Sequence, residues 1–257
     1  MNYDELPVWL KADDKDIPHP DIGIAPQLYN VDAVGYESIM VGMFQSLLGP
    51  INEDCASTGI PKMTELIPMY SKDGYNFSSP SREGIVSSAF EKGTWDRGYV
   101  QSVGGGIIIN KDELWIYYVG FAGDESHANE SWITNGMYRN GATGIAKLRR
   151  DGFVSMNGQG ELFTRKLTFS GKKNMHVNVD GEVVAEITDK NGVLLARSNK
   201  FSGDSTNALL SFDNFKIEDI NGKVFRIRFY LSGKLYSFGF TDENGDFGGA
   251  HAAGIVI

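Results

Sequence analysis

The sequence predicts an all-β protein, and two features of its pattern carry this prediction. Short runs rich in β-branched and aromatic residues recur along the whole chain and are bounded by Gly, Asn, Asp and Ser. Apolar residues at helical spacing are scarce. With 257 residues, of which 41% are hydrophobic, the chain is long enough to bury a substantial core.

The second half of the chain predicts an antiparallel β-sandwich, because its apolar runs follow one another at short and even intervals. From Gly160 onward these runs are LFTRKLTF, NMHVNVD, EVVAEITD, LLARSNKF, ALLSF, VFRIRFYL and LYSFGF. Apolar and polar residues alternate in residues 224–229, so one face of that strand needs a second sheet to cover it. Asn-Gly pairs at 191–192 and 221–222 are typical of hairpin turns.

The first half contains less regular strand patterns. They lie at residues 27–29, 37–44, 65–70, 99–103, 106–109, 113–119 and 143–148. Turn-forming residues 110–112 separate two of these runs and favour a hairpin. The tail after Phe240 is rich in Gly and Ala and then apolar. It either packs on the body of the protein or pairs with an edge strand.

Charge and composition argue against several classes of partner. The formal net charge is -9, with 33 acidic and 24 basic residues, whereas nucleic-acid binding needs a clustered basic face. No apolar segment is long enough to span a bilayer, and the N-terminus lacks the pattern of a signal peptide. We therefore expect neither nucleic acid nor a membrane as partner. The single Cys55 allows no internal disulfide.

The sequence also predicts no metal and no cofactor. One Cys and four dispersed His lack the spacing of a zinc site. Residues 242–246 resemble part of a calcium loop but lack its closing Glu, and we interpret them as a turn. The glycines at 104–106 are not followed by a helical pattern, so they do not predict a phosphate-binding loop.

Several distinctive phrases occupy residues 95–240. They are WDRG at 95–98, DELWIYYVG at 112–120, GIAKLRRDGFVS at 144–155, LFTRKLTF at 162–169, VNV at 177–179 and KLYSFGF at 234–240. Together they resemble a family of glycosyl hydrolases with a five-bladed β-propeller, like those of glycoside hydrolase families 32 and 43, followed by a β-sandwich. The phrase YSKDGYNF at 70–77 is similar to one that recurs once per blade in such propellers.

The resemblance implies an order of domains. Residues 1–154 would form a partial, two-blade-like β-propeller, residues 155–241 the antiparallel β-sandwich, and residues 242–257 a C-terminal tail. A closed propeller needs about 4 to 8 blades, so the chain is expected to lack the N-terminal blades. Exposed sheet edges would then favour a homo-oligomer. The resemblance also implies a periplasmic or secreted location.

The resemblance implies hydrolysis of glycosidic bonds in poly- or oligosaccharides, which needs two carboxyl groups in different environments. Asp96 follows Trp95 at the head of a predicted strand and is one candidate; alternatively it accepts backbone N–H bonds in a turn. Glu37 precedes an apolar run that would favour its protonated form, so it is the candidate proton donor, or else an exposed strand-end residue. The alternative function is a non-catalytic carbohydrate-binding or oligomerisation module.

Further residues are predicted to contact the carbohydrate. His127 lies in a polar loop and would bond a sugar hydroxyl. Trp95 and Trp132 would stack on a pyranose ring, or else belong to the core, as aromatic residues at strand spacing more often do. Asp32 is an additional acidic residue in turn-like sequence. Arg149 would clamp a substrate carboxylate or pair with a catalytic acid, or else form a structural brace between the two domains.

Overall fold

The structure, a computed structural model, describes residues 8–123 and 137–245. It confirms that the protein is all-β, with several antiparallel sheets. Its elements are β1 (Gln27–Tyr36), β2 (Ile39–Gly49), α1 (Asn52–Thr58), β3 (Met63–Ser71), β4 (Val86–Ser87), β5 (Val100–Asn110), β6 (Glu113–Phe121), β7 (Gly141–Arg149), β8 (Met156–Phe163), β9 (Asn174–Asp189), β10 (Leu194–Arg197), β11 (Phe201–Leu210) and β12 (Phe225–Thr241). A 3₁₀ turn covers Ile217–Ile220.

The chain divides into two compact units. The first contains the residues before Lys111 together with Trp115–Lys147, and the second contains Lys111–Leu114 and the residues from Leu148 onward, as far as they are described. In the first unit, a four-stranded sheet has the order β1-β2-β3-β4 and a three-stranded sheet has the order β5-β6-β7. Neighbours in the four-stranded sheet are antiparallel and consecutive in sequence.

Buried polar side chains join the two sheets of the first unit. Gln45 Nε2 and Thr64 Oγ1 each donate a hydrogen bond of 2.7 Å to the carbonyl of Val100, at the start of β5. The Val100 N–H in turn donates to Thr64 Oγ1 at 2.7 Å. Leu66 packs with Val100 and Tyr118 on this side of the sheet. These contacts satisfy buried backbone groups and fix β5 against β3.

In the first unit, one prediction was wrong and one element was not predicted. The glycines at 104–106 do not divide two strands, since β5 runs continuously through them. A Cβ at Gly104 would lie 3.4 Å from Asp32 Oδ1, so the small residue allows β1 to approach closely. Helix α1 was not predicted, although it has acidic residues in its first turn and ends at Gly59 with a left-handed φ of 66°.

The second unit is built on one five-stranded sheet with two long strands at its centre. Its order is β10-β9-β12-β8, and β11 pairs with β9 beside β10. The core contains the apolar residues of β9 and β12, with Met175, Ile187, Phe225 and Ile227 fully buried. Phenylalanines such as Phe240 pack around this core.

A row of four glycines crosses this sheet from strand to strand. Gly233 on β12 pairs with Gly158 on β8 and with Gly181 on β9, and Gly181 pairs with Gly203 on β11. Their φ angles are all positive, between +130° and +147°. The sequence predicted breaks at residues 181 and 233, but β9 and β12 continue for 16 and 17 residues. The glycines therefore act as bends within continuous strands.

Candidate functional site

A cleft of about 450 Å³ opens in the first unit against the four-stranded sheet. Its charged lining includes Asp16, Glu65 and Arg82, and the rest includes serine hydroxyls and apolar side chains such as Ser46, Ser79, Ile17, Pro26 and Ile67. Ser46 on β2 and Glu65 on β3 are directly opposite each other. The volume lies within the range of about 300 to 1,000 Å³ typical of ligand pockets.

Asp16 enters the cleft from a turn that precedes β1. Its side chain is only 2% exposed, and Oδ2 accepts a hydrogen bond of 2.7 Å from the N–H of Asp13. The other oxygen, Oδ1, lies 3.6 Å from Arg82 Nε, and neither of these two atoms has a hydrogen-bond partner. Arg82 Nη2 also contacts Asp13 Oδ2 at 2.9 Å. The guanidinium therefore contacts both Asp13 and Asp16.

Glu65 belongs to β3 and is partly buried among residues of the cleft. Burial raises the pKa of its carboxyl group, and the negative charge of Asp16 raises that pKa further. Hydrogen bonds from the Ser87 hydroxyl, at 3.3 Å, and from the backbone of Gly84 act in the opposite direction without cancelling the shift. A Cβ at Gly84 would come within 2.8 Å of Glu65 Oε2, so the glycine lets the loop lie on the carboxyl group.

Among the carboxyl groups that line the cleft, those of Asp16 and Glu65 have different environments. Asp16 is ion-paired with Arg82, whereas Glu65 accepts hydrogen bonds from the Ser87 hydroxyl and the Gly84 backbone and has a raised pKa. Enzymes that need one acid and one base at the same pH produce this asymmetry by burial and by neighbouring charges. The arrangement can donate a proton from Glu65 and hold negative charge at Asp16.

The predicted pair Asp96 and Glu37 is not brought together. The carbonyl of Gly98, two residues after Asp96, accepts a bond from the N–H of Thr64, which lies opposite Leu47 near the end of β2. Glu37 lies in the turn before Ile39, where β2 begins. These ends of β2 are roughly 25 Å apart, whereas paired glycosidase carboxyls are about 5 to 9.5 Å apart. The two residues thus lie toward opposite ends of β2, and their roles toward a ligand stay predictions.

Trp95 and Asp96 form a separate cluster with Tyr118. The indole of Trp95 is 39% exposed and its centroid lies 5.4 Å from that of Tyr118. A Cβ at Gly120 or Gly144 would come within 2.7 or 2.5 Å of the indole, so these glycines make room for the ring. The Tyr118 hydroxyl donates to Asp96 Oδ2 at 3.2 Å. Burial and the nearby Asp96 raise the pKa of Tyr118 to about 12.

The structure places the other two predicted acidic residues, Glu37 and Asp32, differently from the sequence prediction. Glu37 does not open a strand but sits in the turn between β1 and β2 with a φ of 50°. Asp32 lies within β1 rather than in a turn, and its Oδ2 accepts a hydrogen bond from the Ser102 hydroxyl on β5. Their roles toward a ligand stay predictions.

Arg149 is engaged within the second unit. Its Nη1 lies 2.6 Å from Asp204 Oδ1, and its Nε donates to Asn178 Oδ1 at 2.7 Å. The guanidinium also lies over the ring of Tyr236, 4.9 Å from the centroid. Asn178 is buried and donates to the carbonyl of Arg150 at 2.6 Å. These contacts make Arg149 an anchor of the RRDG phrase, and its substrate contact stays a prediction.

His127 and Trp132 lie outside the described residues. Within residues 8–123 and 137–245, no group of three His, Cys, Asp or Glu side chains is arranged to hold a metal ion. The same part of the chain contains no helix long and apolar enough to cross a membrane.

The sequence analysis missed Asp16, Glu65 and Arg82. A signal for Glu65 was present, because Met63, Ile67 and Met69 share its face of β3 and are buried. A carboxyl group within such an apolar face is expected to have a perturbed pKa. Asp16 and Arg82 gave no comparable signal, since both lie in polar, irregular sequence and reach the cleft only through the fold.

Comparisons with protein-family models and with curated proteins found no match. Among solved structures, a glycoside hydrolase family 43 arabinoxylan arabinofuranohydrolase from Bacillus subtilis, in complex with cellotetraose, is similar over 83% of this chain. The identity is 11% and the TM-score is 0.21. The match covers 54% of that chain, so this protein spans about half its length. A likeness at this score carries no conclusion about the site.

Proposed function

We propose that this protein is glycoside hydrolase-like and cleaves glycosidic bonds in poly- or oligosaccharides through the paired carboxyl groups of Glu65 and Asp16. The observation that carries the proposal is their presence in one cleft with different surroundings. Burial and the charge of Asp16 raise the pKa of Glu65, while Arg82 pairs with Asp16. This is the division between acid and base that glycosidic hydrolysis requires.

In this mechanism Glu65 is the proton donor. It transfers its proton to the glycosidic oxygen as the bond from that oxygen to the anomeric carbon breaks, so that the leaving group departs as an alcohol. The Asp16 carboxylate stabilises the positive charge that develops on the sugar ring. Water then adds to the anomeric carbon and supplies the hydroxyl group of the new reducing end, while its other proton passes to the Glu65 carboxylate and restores the acid. The serine hydroxyls of the cleft offer hydrogen bonds to sugar hydroxyl groups.

Within the all-β class, we also propose a specific architecture for each unit. We propose that the two sheets of the first unit are blades of a β-propeller and that the second unit is a β-sandwich. The consecutive antiparallel order β1-β2-β3-β4 supports the first statement, since propeller blades are four-stranded sheets. The apolar core along β9 and β12 supports the second statement.

The experiment is reducing-sugar release from a panel of polysaccharides and aryl glycosides. Glu65→Gln and Asp16→Asn are each expected to lower the rate by about 100-fold or more, because a positioned acid or base contributes about 10² to 10⁴-fold. Glu91→Gln is the matched control, since Glu91 is an exposed residue of the first unit outside the cleft. Circular dichroism checks that each variant is folded.

Asp96→Asn in the same assay separates this site from the one predicted by sequence. If Asp96→Asn stops sugar release and Glu65→Gln leaves it unchanged, the catalytic carboxyl group belongs to the Trp95–Asp96 cluster. Release that survives both Glu65→Gln and Asp16→Asn contradicts the proposal.

A second candidate function is carbohydrate binding without hydrolysis, and the exposed indole of Trp95 favours it. The exposed indole is held by Tyr118 and has the neighbouring carboxylate of Asp96 to bond sugar hydroxyls. Here the wild type would retain insoluble polysaccharide in a pull-down assay and release no sugar. Trp95→Ala is expected to weaken that retention, whereas Tyr75→Ala, at another exposed aromatic residue, leaves it unchanged. Equal retention by the two variants contradicts this function.

A further inference from the structure

Lys62 is a buried cation for which the described residues provide no carboxylate at ion-pair distance. The residue is 8% exposed, and its Nζ donates a hydrogen bond of 2.8 Å to the hydroxyl of Tyr29. The ammonium also lies 5.3 Å from the centroid of the Tyr29 ring. An ammonium has three donors, so this bond uses one of them.

Two more tyrosines lie in the same region of the first unit. The hydroxyl of buried Tyr99 donates to Gln45 Oε1 at 3.1 Å, and its ring centroid lies 5.7 Å from that of Tyr138. A Cβ at Gly98, the residue before Tyr99, would lie 3.2 Å from the carbonyl oxygen of Lys62 and 3.3 Å from that of Phe121, and the ring centroids of Phe121 and Tyr138 are 5.5 Å apart, so Lys62 and these tyrosines share one region. Tyr29 is 45% exposed and Tyr138 is 58% exposed, so solvent reaches two of the rings.

The chemistry of this cluster selects an anionic ligand. Buried charges in proteins are normally paired, because an uncompensated charge in a low-dielectric site is costly. The protein as a whole has a formal net charge of -9 and therefore repels anions at long range. A local cation is needed if an acidic ligand is to bind. Exposed aromatic rings beside it provide apolar faces for a sugar ring.

We propose that Lys62, Tyr29 and Tyr138 form a subsite that binds the carboxylate of an acidic sugar residue, a uronic acid. The inference rests on the proposed carbohydrate function and specifies its substrate class. The subsite is distinct from the cleft, whose lining includes neither Lys62 nor Tyr29. In the bound state the carboxylate accepts from the free donors of Lys62 Nζ beside the Tyr29 hydroxyl.

The test uses isothermal titration calorimetry on the full chain with trimers of galacturonate and of mannuronate, each compared with its methyl ester. The esters keep the ring and remove the charge. The wild type is expected to bind at least one acid about tenfold or more tightly than its ester, since hydrogen bonds to charged groups are the stronger class. Raising the salt concentration is expected to reduce this preference.

Lys62→Met is expected to remove the preference while leaving ester binding unchanged. Because the substitution replaces an unpaired buried charge with an apolar chain of similar length, the melting temperature is expected to stay the same or rise. Tyr138→Ala, at an exposed position, is expected to weaken binding of both acid and ester. It remains informative if Lys62→Met does not fold.

Three results overturn the inference. Equal affinity of the wild type for every acid and its ester is one, and a preference that survives in Lys62→Met is the second. In either case, Glu65-dependent cleavage of neutral saccharides would leave the proposed function standing. If no saccharide, neutral or acidic, is bound or cleaved, the proposed function and the inference fall together.

Discussion

The pKa of the Glu65 carboxyl group is shifted in opposite directions by its position on β3 and by its contacts with the neighbouring loop. Its face of β3 is apolar, which disfavours charge, while Ser87 and Gly84 supply hydrogen bonds that favour it. The nearby Asp16 carboxylate adds to the apolar effect, so the pKa of Glu65 is raised above its ordinary value of 4.5. A proton donor near neutral pH needs a shift in this direction.

This shift has a consequence for stability. Because the pKa is higher in the folded protein than in the unfolded chain, the contribution of Glu65 is fully present below about pH 4.5 and is lost as the pH rises through the folded value. Glu65→Gln stays neutral and lacks this loss. The variant is therefore expected to gain melting temperature relative to the wild type between pH 4 and pH 7.

Melting curves of the two proteins across this pH range check the prediction. Ser87→Ala serves as the comparison, because it removes a hydrogen bond to Glu65 and leaves the titrating group in place. A melting-temperature difference between Glu65→Gln and wild type that does not change with pH would show that Glu65 has an ordinary pKa.

The long strands of the second unit depend on backbone bends at specific glycines. At Gly233 a Cβ would come within 2.2 Å of the Asp180 carbonyl oxygen, and at Gly181 within 2.3 Å of the Ser232 carbonyl oxygen. At Gly158 the φ is equally unusual, +143°, but a Cβ would meet nothing within 4 Å. Comparing substitutions at Gly158 and Gly233 therefore separates the cost of a positive φ from the cost of a steric clash.

We expect Gly158→Ala to lower the free energy of unfolding by about 1 to 2 kcal/mol, the cost of a left-handed conformation for an L-residue. Gly233→Ala is expected to lower it clearly more, because the clash involves backbone atoms of the adjacent strand and not a flexible side chain. Urea denaturation followed by circular dichroism measures both. Equal losses of unfolding free energy in the two variants would mean that β9 and β12 are not in close contact where Gly181 pairs with Gly233.

At the scale of the whole molecule, local patterns predicted the class of fold better than the contacts between its parts. Strand-like runs such as residues 113–119 became strands because β propensity and period-two burial coincide there. Glycines misled the prediction: at 104–106, 181 and 233 they looked like breaks, but the strands continue through them. A glycine signals a special φ or a close approach, and sequence alone does not distinguish a bend from a turn.

The candidate site was less accessible to prediction. The phrase YSKDGYNF forms a turn in which Asp73 accepts bonds from the N–H groups of Asn76 and Tyr75, which lowers the pKa of its carboxyl group. That role is local and can be read from spacing. The cleft, by contrast, joins Asp16, Glu65 and Arg82 from three separate segments. Their meeting depends on long-range packing, which no short motif encodes.

The central claim is that Glu65 gives a proton to the leaving group, and leaving-group dependence tests it most directly. Rates are measured for aryl glycosides of the active sugar, from dinitrophenyl, which leaves without protonation, to phenyl, which requires it. If Glu65 is the acid, Glu65→Gln lowers the rate about 100-fold or more for phenyl glycosides and only slightly for dinitrophenyl glycosides. An equal loss for all leaving groups, or no loss, would contradict the assignment of Glu65 as the acid.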